Sequence, residues 1–206
     1  MGGETRSGSR RDDRGRTASR GRTIVEYVVL AVVAVAVALL IQAFLVKPYR
    51  IPSASMEDTL LIGDRVLVDR ISWREVDQRS ISDPHRGDIV VFHPPFGGSV
   101  LIKRIIAMPK DEISLSGGFV YINGRRLDEP YVRRIDGHQE PSDPFSNGMP
   151  WSLQAPFKVP AGSYFVMGDN RTDSGDSRDF GPINRAQFVG RAFAKYWPPG
   201  RIGSAN

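Results

Sequence analysis

Residues 51–56 read Ile51-Pro52-Ser53-Ala54-Ser55-Met56, and the rest of the chain is organised around this stretch. It follows a long apolar segment and carries two hydroxyl groups on a turn that begins with proline. A serine is a weak nucleophile unless a base takes its proton as it attacks. The chemistry available to this stretch therefore depends on whether a later residue can act as that base.

The best candidate for the base is Lys103, in the apolar run Val100-Leu101-Ile102-Lys103-Arg104-Ile105-Ile106. The alternation of a β-strand predicts that Lys103 shares a face with Leu101 and Ile105. Burial among apolar side chains disfavours the charged ammonium and lowers its pKa, so that the neutral amine can accept a proton. Serine with lysine is a known alternative to the Ser-His-Asp triad. The competing interpretation is a lysine at a sheet edge whose ammonium reaches water.

Histidine offers a weaker alternative for the base. His85, His93 and His138 lie beside proline or glycine in loop-like contexts. We predict that all three face solvent rather than joining a triad or a metal site. The chain contains no cysteine, which excludes a disulfide scaffold, a catalytic thiol and a cysteine-ligated metal. The sequence implies no metal and no cofactor.

Positive charge is concentrated at the N-terminus. The formal net charge of the 206 residues is +5, and residues 1–22 hold seven arginines against three acidic residues. Residues 47–206 hold 21 basic and 19 acidic residues, so this part is nearly neutral. A nucleic-acid-binding domain concentrates positive charge on its folded part, and we therefore expect no nucleic-acid partner. Residues 1–22 are predicted to be a disordered basic tail.

Residues 24–46 form a stretch of 23 residues with an unbroken apolar run over residues 28–41. At about 1.5 Å per residue a helix of this length crosses the hydrocarbon core of a bilayer. A cleaved signal peptide and a buried core helix are the alternatives, but no small-x-small cleavage site follows the run. We therefore predict a transmembrane helix over residues 23–46. The preceding arginines predict a cytoplasmic tail, with residues 47–206 on the extracytoplasmic side of the cell membrane.

Residues 47–206 read as strands and turns and predict a mainly β fold. Alternating or apolar runs predict strands at 65–69, 88–92, 100–106, 119–122, 125–127, 164–167 and 192–197. The dipeptide Asn123-Gly124 is a strong hairpin signal. Residues 128–160 are rich in Pro, Asp, Gly and Ser, and we predict that they form an irregular subdomain inserted into the β domain.

A set of segments, in this order along the chain, resembles the type I signal peptidases, the membrane-anchored serine proteases that remove signal peptides from exported proteins. The segments are the apolar stretch 24–46, Ile51-Pro52-Ser53-Ala54-Ser55-Met56, Leu61-Ile62-Gly63-Asp64-Arg65-Val66-Leu67-Val68, Arg86-Gly87-Asp88-Ile89-Val90-Val91-Phe92, Ile102-Lys103-Arg104-Ile105-Ile106-Ala107-Met108-Pro109, and Gly168-Asp169-Asn170-Arg171-Thr172-Asp173-Ser174-Gly175-Asp176-Ser177-Arg178. One segment alone is a weak signal, whereas the ordered set is highly specific. The resemblance implies a β-rich catalytic domain of the signal-peptidase type behind a single membrane anchor.

The resemblance implies a Ser/Lys dyad in which Ser55 is the nucleophile and Lys103 is the general base. It implies that the Ser53 hydroxyl and the backbone N–H of Ser55 form the oxyanion hole, and that Ser174 orients the lysine amine. Two charged pairs are implied to support this site, and they are Asp176 with Arg178 and Asp169 with Arg104. An ordinary loop salt bridge is the alternative interpretation of the first pair.

The implied partners are secretory preproteins and membrane lipid, and the implied cleavage follows small residues in an A-x-A site of the signal peptide. By resemblance, the walls of the substrate pocket are Tyr49, Ile51, Pro52, Met56, Leu60, Leu101 and Ile102. The apolar character of residues 49–60 also predicts a surface that dips into the membrane interface. The chain departs from the family pattern at Asp58, where proline is usual, and at Ala107 and Lys110, where glycine is common. These departures concern turn geometry and substrate preference more than the chemistry.

Two other functions fit parts of the sequence. A self-cleaving Ser/Lys protease of the SOS-repressor type shares the dyad and a β-rich fold, but it is soluble, so the apolar stretch argues against it. A catalytically inactive, membrane-anchored binding module needs neither Ser55 nor Lys103, and the presence of both argues against it. The separation of Ser55 Oγ and Lys103 Nζ tests the catalytic interpretation, which a distance well beyond about 3.2 Å weakens.

Overall fold

The structure is a computed structural model that describes residues 14–73, 82–143, 153 and 155–205, without the side chains of residues 14–23 and 41–44. The chain divides into two units, Met1–Ala43 and Phe44–Asn206. All of the described strands lie in the second unit.

The N-terminal helix, α1, runs over Arg14–Phe44 and has 31 residues. Residues 14–22 are therefore helical, where the sequence predicts a disordered tail; the remainder of that tail, residues 1–13, lies outside the described residues. Arginine is a good helix former, and each residue added to an existing helix contributes a further backbone hydrogen bond, which accounts for the difference. In the described part of the chain, no helix is both long and apolar enough to cross a membrane.

The second unit is mainly β, as the sequence predicts. Its strands in chain order are β1 Val46–Arg50, β2 Arg65–Asp69, β3 Ile89–Phe92, β4 Leu101–Ala107, β5 Glu112–Ser116, β6 Phe119–Ile122, β7 Arg125–Arg126, β8 Arg134–Ile135, β9 His138–Gln139, β10 Phe157–Lys158, β11 Ser163–Met167, β12 Ile183–Asn184, β13 Phe188–Trp197 and β14 Gly203–Ser204. Within the described residues of this unit, the helical elements are a one-turn helix, α2 Ser177–Phe180, and two 3₁₀ turns, Arg185–Gln187 and Pro199–Arg201.

The main sheet is antiparallel and has the strand order β1-β2-β13-β3-β4-β11-β12, with β14 beside β13. A second sheet has the order β10-β5-β6-β7, and β8 pairs with β9. Each predicted strand is confirmed, although β13 begins four residues before its predicted start. The sequence pattern did not predict β1, β5 or the two-residue strands β8, β9, β10, β12 and β14. β1 contains Pro48, which weakens the strand pattern but is tolerated at the edge of a sheet.

Two turns between strands use the left-handed backbone region that favours glycine. Asn123 and Gly124 have φ angles of 52° and 75°, which confirms the predicted hairpin between β6 and β7. Lys110, which follows β4, has a φ angle of 74°. Its conformation is the one that a glycine adopts most easily, which fits the glycine that the family pattern has at this position.

The segment between β1 and β2 presents residues 51–56. Ile51 N donates a hydrogen bond of 2.9 Å to Asp64 O, which closes the base of this loop. Ile51, Met56 and Leu60 are buried in an apolar cluster with residues of β2 and β3. These three side chains therefore hold the turn against the main sheet.

β4 lies inside the main sheet, between β3 and β11. Lys103 is paired with Val90 of β3, and Val90 belongs to an apolar cluster that includes Leu101 and Ile105. Directly paired residues of antiparallel strands have side chains on the same face. Lys103 consequently lies on the face that the sequence predicts, in the interior rather than at a sheet edge.

Candidate active site

Ser55 and Lys103 meet where the turn between β1 and β2 covers β4. Lys103 Nζ and Ser55 Oγ are 2.6 Å apart. Only 6% of Ser55 and 3% of Lys103 are exposed. A nucleophile and its base need a separation within hydrogen-bond reach, and this pair has one before any substrate is bound.

The surroundings of Lys103 favour the neutral amine. Burial lowers the pKa of Lys103 to about 8, because the charged ammonium loses its hydration. The negative charges of Asp176, Asp169 and Asp173 raise that pKa, and the positive charge of Arg178 lowers it. Since burial outweighs the neighbouring carboxylates, the amine can accept a proton at mildly alkaline pH.

Ser53 lies beside this pair on the exposed side of the turn. Its Oγ is 3.5 Å from Ser55 Oγ, and the residue is exposed to solvent. A hydroxyl at this place can reach an oxygen atom that is bound next to Ser55 Oγ.

The segment 168–178 follows β11 and packs against the turn that carries Ser55. A Cβ at Gly168 would lie 2.3 Å from Ser174 Oγ and 2.4 Å from the carbonyl oxygen of Ser55. Real Cβ atoms do not approach backbone oxygens so closely, so any side chain here would push the two loops apart. Glycine at residue 168 is therefore required by the close approach of the two backbones.

Asp176 and Arg178 form a buried ion pair with two hydrogen bonds. Arg178 Nε lies 2.9 Å from Asp176 Oδ1 and Nη2 lies 2.8 Å from Oδ2. Asp176 also accepts a bond of 3.0 Å from Gly168 N and caps α2 by accepting one from Arg178 N. Burial alone would raise the pKa of Asp176, but the hydrogen bonds and charge of Arg178 hold it below its usual value. Asp176 is therefore an anion at neutral pH.

Ser174 is directed towards that anion. Its Oγ donates a hydrogen bond of 2.8 Å to Asp176 Oδ2. Among the described residues, the hydrogen-bond partner of Lys103 Nζ is Ser55. The resemblance implies that Ser174 orients the lysine amine, whereas here its hydroxyl binds the carboxylate, which is the stronger acceptor.

Asp169 and Arg104 form a second buried pair. Arg104 Nε lies 2.8 Å from Asp169 Oδ1, and Nη2 lies 2.6 Å from Oδ2. Thr59 donates a bond of 2.6 Å to the same carboxylate, and the guanidinium stacks on the ring of Tyr131 at 4.1 Å. The pair thus ties β4 to the segment 168–178 and to the loop that carries Ser55.

A third buried pair, which the sequence pattern does not predict, joins Arg171 and Glu129. Arg171 Nη2 lies 2.6 Å from Glu129 Oε1, Arg171 also bonds Ser142, and both charged side chains are almost fully buried. Thr172 donates a bond of 2.6 Å to the buried Glu140. The acidic residues belong to the irregular stretch 128–160, where no periodic pattern distinguishes a buried glutamate from an exposed one.

The residues that the resemblance assigns to the substrate pocket do not line one open pocket. Ile51, Met56, Leu60 and Ile102 belong to one core cluster with Tyr49 packed against it, Leu101 packs against another cluster, and Pro52 is exposed. Met56 and Leu60 are fully buried because they anchor the turn to the sheet.

The predicted apolar surface over residues 49–60 also needs correction, because most of its large apolar side chains are buried. Within the second unit, exposed large apolar residues occur elsewhere, and they include Ile62, Phe193, Trp197 and Ile202. The apolar character of the stretch serves its packing against the main sheet.

The three histidines are exposed, as the sequence predicts. His85 lies 3.7 Å from Asp88, and 75% of its side chain is accessible. Among the residues that the structure describes, no group of three or more His, Asp or Glu residues could hold a metal ion.

Comparison with known proteins adds an independent observation. A family model described as signal peptidase, peptidase S26, matches residues 24–197. A probable signal peptidase I-2 of Synechocystis is 38% identical over 189 residues, which cover 89% of this chain and 74% of the relative. A signal peptidase I of Leptolyngbya laminosa is 37% identical over 177 residues, covering 82% and 77% of the two chains.

Similarity extends to a further relative and to a solved structure. Signal peptidase IB of Staphylococcus aureus (strain COL) is 32% identical over 183 residues, which cover 86% of this chain and 91% of the relative. A signal peptidase I from Enterococcus faecalis V583, whose crystal structure is known, is 33% identical in sequence. The match covers 54% of this chain and 98% of the Enterococcus chain, with a TM-score of 0.42.

The buried pair between Arg171 and Glu129 predicts a large loss of stability when its anion is removed. Replacing Glu129 with Gln is expected to lower the free energy of unfolding by about 3 kcal/mol, because the buried Arg171 loses its counter-charge. Urea denaturation of the full chain in detergent measures this loss. The matched control is Glu57→Gln, which removes a partly exposed pair with Arg133 at 3.9 Å and is expected to cost less than about 1 kcal/mol. Equal losses in the two variants would contradict the prediction.

Proposed function

The chain belongs to the signal peptidase family, peptidase S26, and on that basis we propose that Ser55 and Lys103 are the catalytic dyad of a type I signal peptidase. The enzyme is a peptidase that removes signal peptides from secretory preproteins. The observation that carries the dyad assignment is the 2.6 Å separation of Ser55 Oγ and Lys103 Nζ in a buried site. Family membership and site geometry support the same reaction class.

The reaction begins with attack of Ser55 Oγ on the carbonyl carbon of the scissile peptide bond. The hydroxyl proton passes to Lys103 Nζ, and the electron pair of the carbonyl double bond moves to its oxygen. When the tetrahedral intermediate collapses, the carbon–nitrogen bond breaks and Lys103 returns the proton to the leaving amine. A water molecule then attacks the acyl-enzyme ester, again with Lys103 as base, and frees Ser55.

Two donors of the Ser55 turn stabilise the negative oxygen of the intermediate, and they are the Ser53 hydroxyl and the backbone N–H of Ser55. The 3.5 Å between the oxygens of Ser53 and Ser55 supports the first assignment. Removing one donor of this kind lowers kcat by roughly 100- to 1000-fold in other serine proteases.

Asp176 and Arg178 set the charge around the lysine, and Ser174 supports Asp176. The positive charge of Arg178 offsets part of the increase that Asp176 causes in the pKa of Lys103. The decrease caused by burial is therefore the larger effect on that pKa. Asp169 and Arg104 hold the loops in register. Asp176 and Arg178 can be interpreted as a supporting pair of the site or as an ordinary loop salt bridge. An ordinary salt bridge would leave the charge state of Lys103 unaffected, and this difference distinguishes the two interpretations.

The substrates are secretory preproteins with a signal peptide that ends in A-x-A. Met56, Leu60 and Ile102 are buried in the core, which supports shallow subsites beside Ser55. Shallow subsites accept alanine and exclude larger side chains.

The apolar part of α1 anchors the enzyme in the cell membrane, with the tail in the cytoplasm and the β domain outside. The sequence supports this assignment through its apolar run over residues 28–41 and the seven arginines before it. Side chains of residues 24–40 are exposed along the helix, and a lipid environment would cover them. Tethering to the bilayer would keep the site close to its membrane-bound substrates.

Two variants test the dyad. Ser55→Ala and Lys103→Met are each expected to reduce cleavage of a purified preprotein with an A-x-A site by at least about 1000-fold, because one lacks the nucleophile and the other the base. Cleavage is measured in detergent with the full chain, by the appearance of mature protein on a gel.

The matched controls are Ser116→Ala and Lys158→Met, which change exposed residues at distant strands. Both controls are expected to cleave as well as the unmodified chain. Full activity of Lys103→Met would contradict the base assignment, and absence of cleavage by the unmodified chain would favour the binding-module alternative.

The lowered pKa of Lys103 predicts the pH dependence of cleavage. A base must be unprotonated, so kcat/KM is expected to fall as pH decreases below about 8, the pKa of Lys103. Because Asp173 raises this pKa and is exposed, Asp173→Asn is expected to move the acid limb of the profile to lower pH. An acid limb near pH 6.5, the usual value of histidine, would contradict the assignment.

The anchor is tested by extraction of cell membranes with alkaline carbonate. The full chain is expected to stay in the membrane pellet, because a spanning helix is released only by detergent. A variant that lacks residues 24–45 serves as the control and is expected in the supernatant. Release of the full chain by carbonate would rule out a spanning anchor.

A further inference from the structure

Asn170 makes two contacts with the backbone of the turn that carries Ser55. Its side-chain Nδ2 donates to the carbonyl oxygen of Ala54 at 3.1 Å. Its backbone N–H donates to the carbonyl oxygen of Ser55 at 3.2 Å. Asn170 itself is 1% exposed. Two successive carbonyl groups of the turn are thus held by one buried residue.

The first contact acts on a peptide unit that also contains the N–H of Ser55. The carbonyl of Ala54 and the N–H of Ser55 belong to one planar unit, which is trans, so they point in opposite directions. When Asn170 fixes the direction of the carbonyl, it also fixes the direction of the N–H. The N–H then projects from the side of the turn that faces away from Asn170.

That N–H is available to a bound substrate. Among the described residues, the backbone N–H of Ser55 donates no hydrogen bond, although Ser55 is 94% buried. Buried backbone donors are nearly always paired in folded proteins. A buried N–H that is unpaired and has a fixed orientation can donate a hydrogen bond to an oxygen atom that becomes negatively charged during the reaction.

The side-chain amide of Asn170 is also not fully satisfied. Its Oδ1 is buried and has no hydrogen-bond partner among the described residues. Leaving a buried acceptor unpaired is unfavourable, so a contribution to stability alone does not explain this amide. Its Nδ2 must be the atom that faces Ala54, because a carbonyl oxygen accepts and cannot donate.

A further contact keeps the two segments at this distance. Gly168, two residues before Asn170, lies against the carbonyl oxygen of Ser55 so closely that no Cβ fits between them. The backbone of residues 168–170 therefore follows the backbone of the Ser55 turn, and the side chain of Asn170 reaches Ala54 without distortion of either segment.

We propose that Asn170 is a positioning residue that orients the N–H of Ser55 for the oxyanion, by holding the carbonyl of the Ala54–Ser55 peptide unit. This role rests on the proposed function of Ser55 as nucleophile. Among the described hydrogen bonds Asn170 has none to Lys103, and in this proposal it acts on the reaction through the peptide unit alone.

The test compares Asn170→Ala and Asn170→Leu with the unmodified chain in detergent. Both variants lose the donor, and Leu keeps a similar side-chain volume. We expect kcat for an A-x-A preprotein to fall roughly 10- to 100-fold while KM changes less than about threefold, because the interaction strengthens only in the transition state. The acid limb of the pH profile is expected to stay in place, since Asn170 is not among the groups that set the pKa of Lys103.

A peptide aldehyde gives a second readout. Ser55 Oγ adds to the aldehyde carbon, the electron pair of the carbonyl moves to its oxygen, and the hydroxyl proton passes to Lys103, so the adduct places a negative oxygen in the hole. Affinity for the aldehyde is expected to fall by about the same factor as kcat in the variants. Affinity for the product peptide that ends in Ala-x-Ala is expected to be unchanged.

The matched control is Thr172→Val, in the same segment, which removes a described hydrogen bond to Glu140 rather than one to the Ser55 turn. It is expected to keep kcat and aldehyde affinity within about twofold of the unmodified chain. Circular dichroism and thermal melting verify that each variant is folded.

The outcomes separate this inference from the proposed function. Unchanged kcat in both Asn170 variants, with Ser55→Ala inactive, would overturn the positioning role alone. Full activity of Ser55→Ala would overturn the proposed function and this inference with it. Loss of folding in both variants, or an acid limb moved to higher pH, would assign Asn170 a structural role and would also overturn the inference.

Discussion

The site depends on a lysine amine held inside a β-sheet domain. An ammonium ion prefers water, so burial of Lys103 disfavours the charged form and lowers its pKa to about 8. The same burial brings Nζ within 2.6 Å of Ser55 Oγ. A solvated lysine at a sheet edge would keep a pKa near its ordinary value of 10.5, so a much smaller fraction of its amine would be free to take a proton from serine. The interior position of β4 is therefore the constraint on which the chemistry depends.

The charges around Lys103 are arranged so that burial decides its protonation. The two buried aspartates next to the lysine are each bound by a guanidinium, Asp176 by Arg178 and Asp169 by Arg104. Unpaired carboxylates at these places would stabilise the ammonium and raise its pKa further. When each aspartate is paired with an arginine, its hydrogen bonds still hold the loops together. Its effect on the pKa of the lysine is smaller.

The loop that carries Ser55 and the segment 168–178 are held together by several contacts. Gly168 permits their backbones to touch, Thr59 bonds Asp169, and Asn170 bonds Ala54. Arg171 links the segment 168–178 to the irregular stretch 128–160 through hydrogen bonds to Glu129 and Ser142. That stretch is thus part of the support of the site. A reaction that needs a nucleophile, a base and an oxyanion hole in fixed geometry benefits from such buried and paired polar groups.

The sequence by itself determined the mainly β fold, the hairpin at Asn123-Gly124 and the exposed histidines, and it proposed Ser55 and Lys103 as nucleophile and base, because strand periodicity, turn chemistry and ordered motifs are local signals. It missed β1, which is short and includes a proline, and it assigned Met56 and Leu60 to a pocket although they pack in the core. Only the tertiary structure paired Arg171 with Glu129, 42 residues away, and turned Ser174 towards Asp176. Apolar periodicity indicates that a residue is buried, but it does not indicate which distant residue it contacts. Polar partners that are far apart in the chain produce no periodic pattern in the sequence.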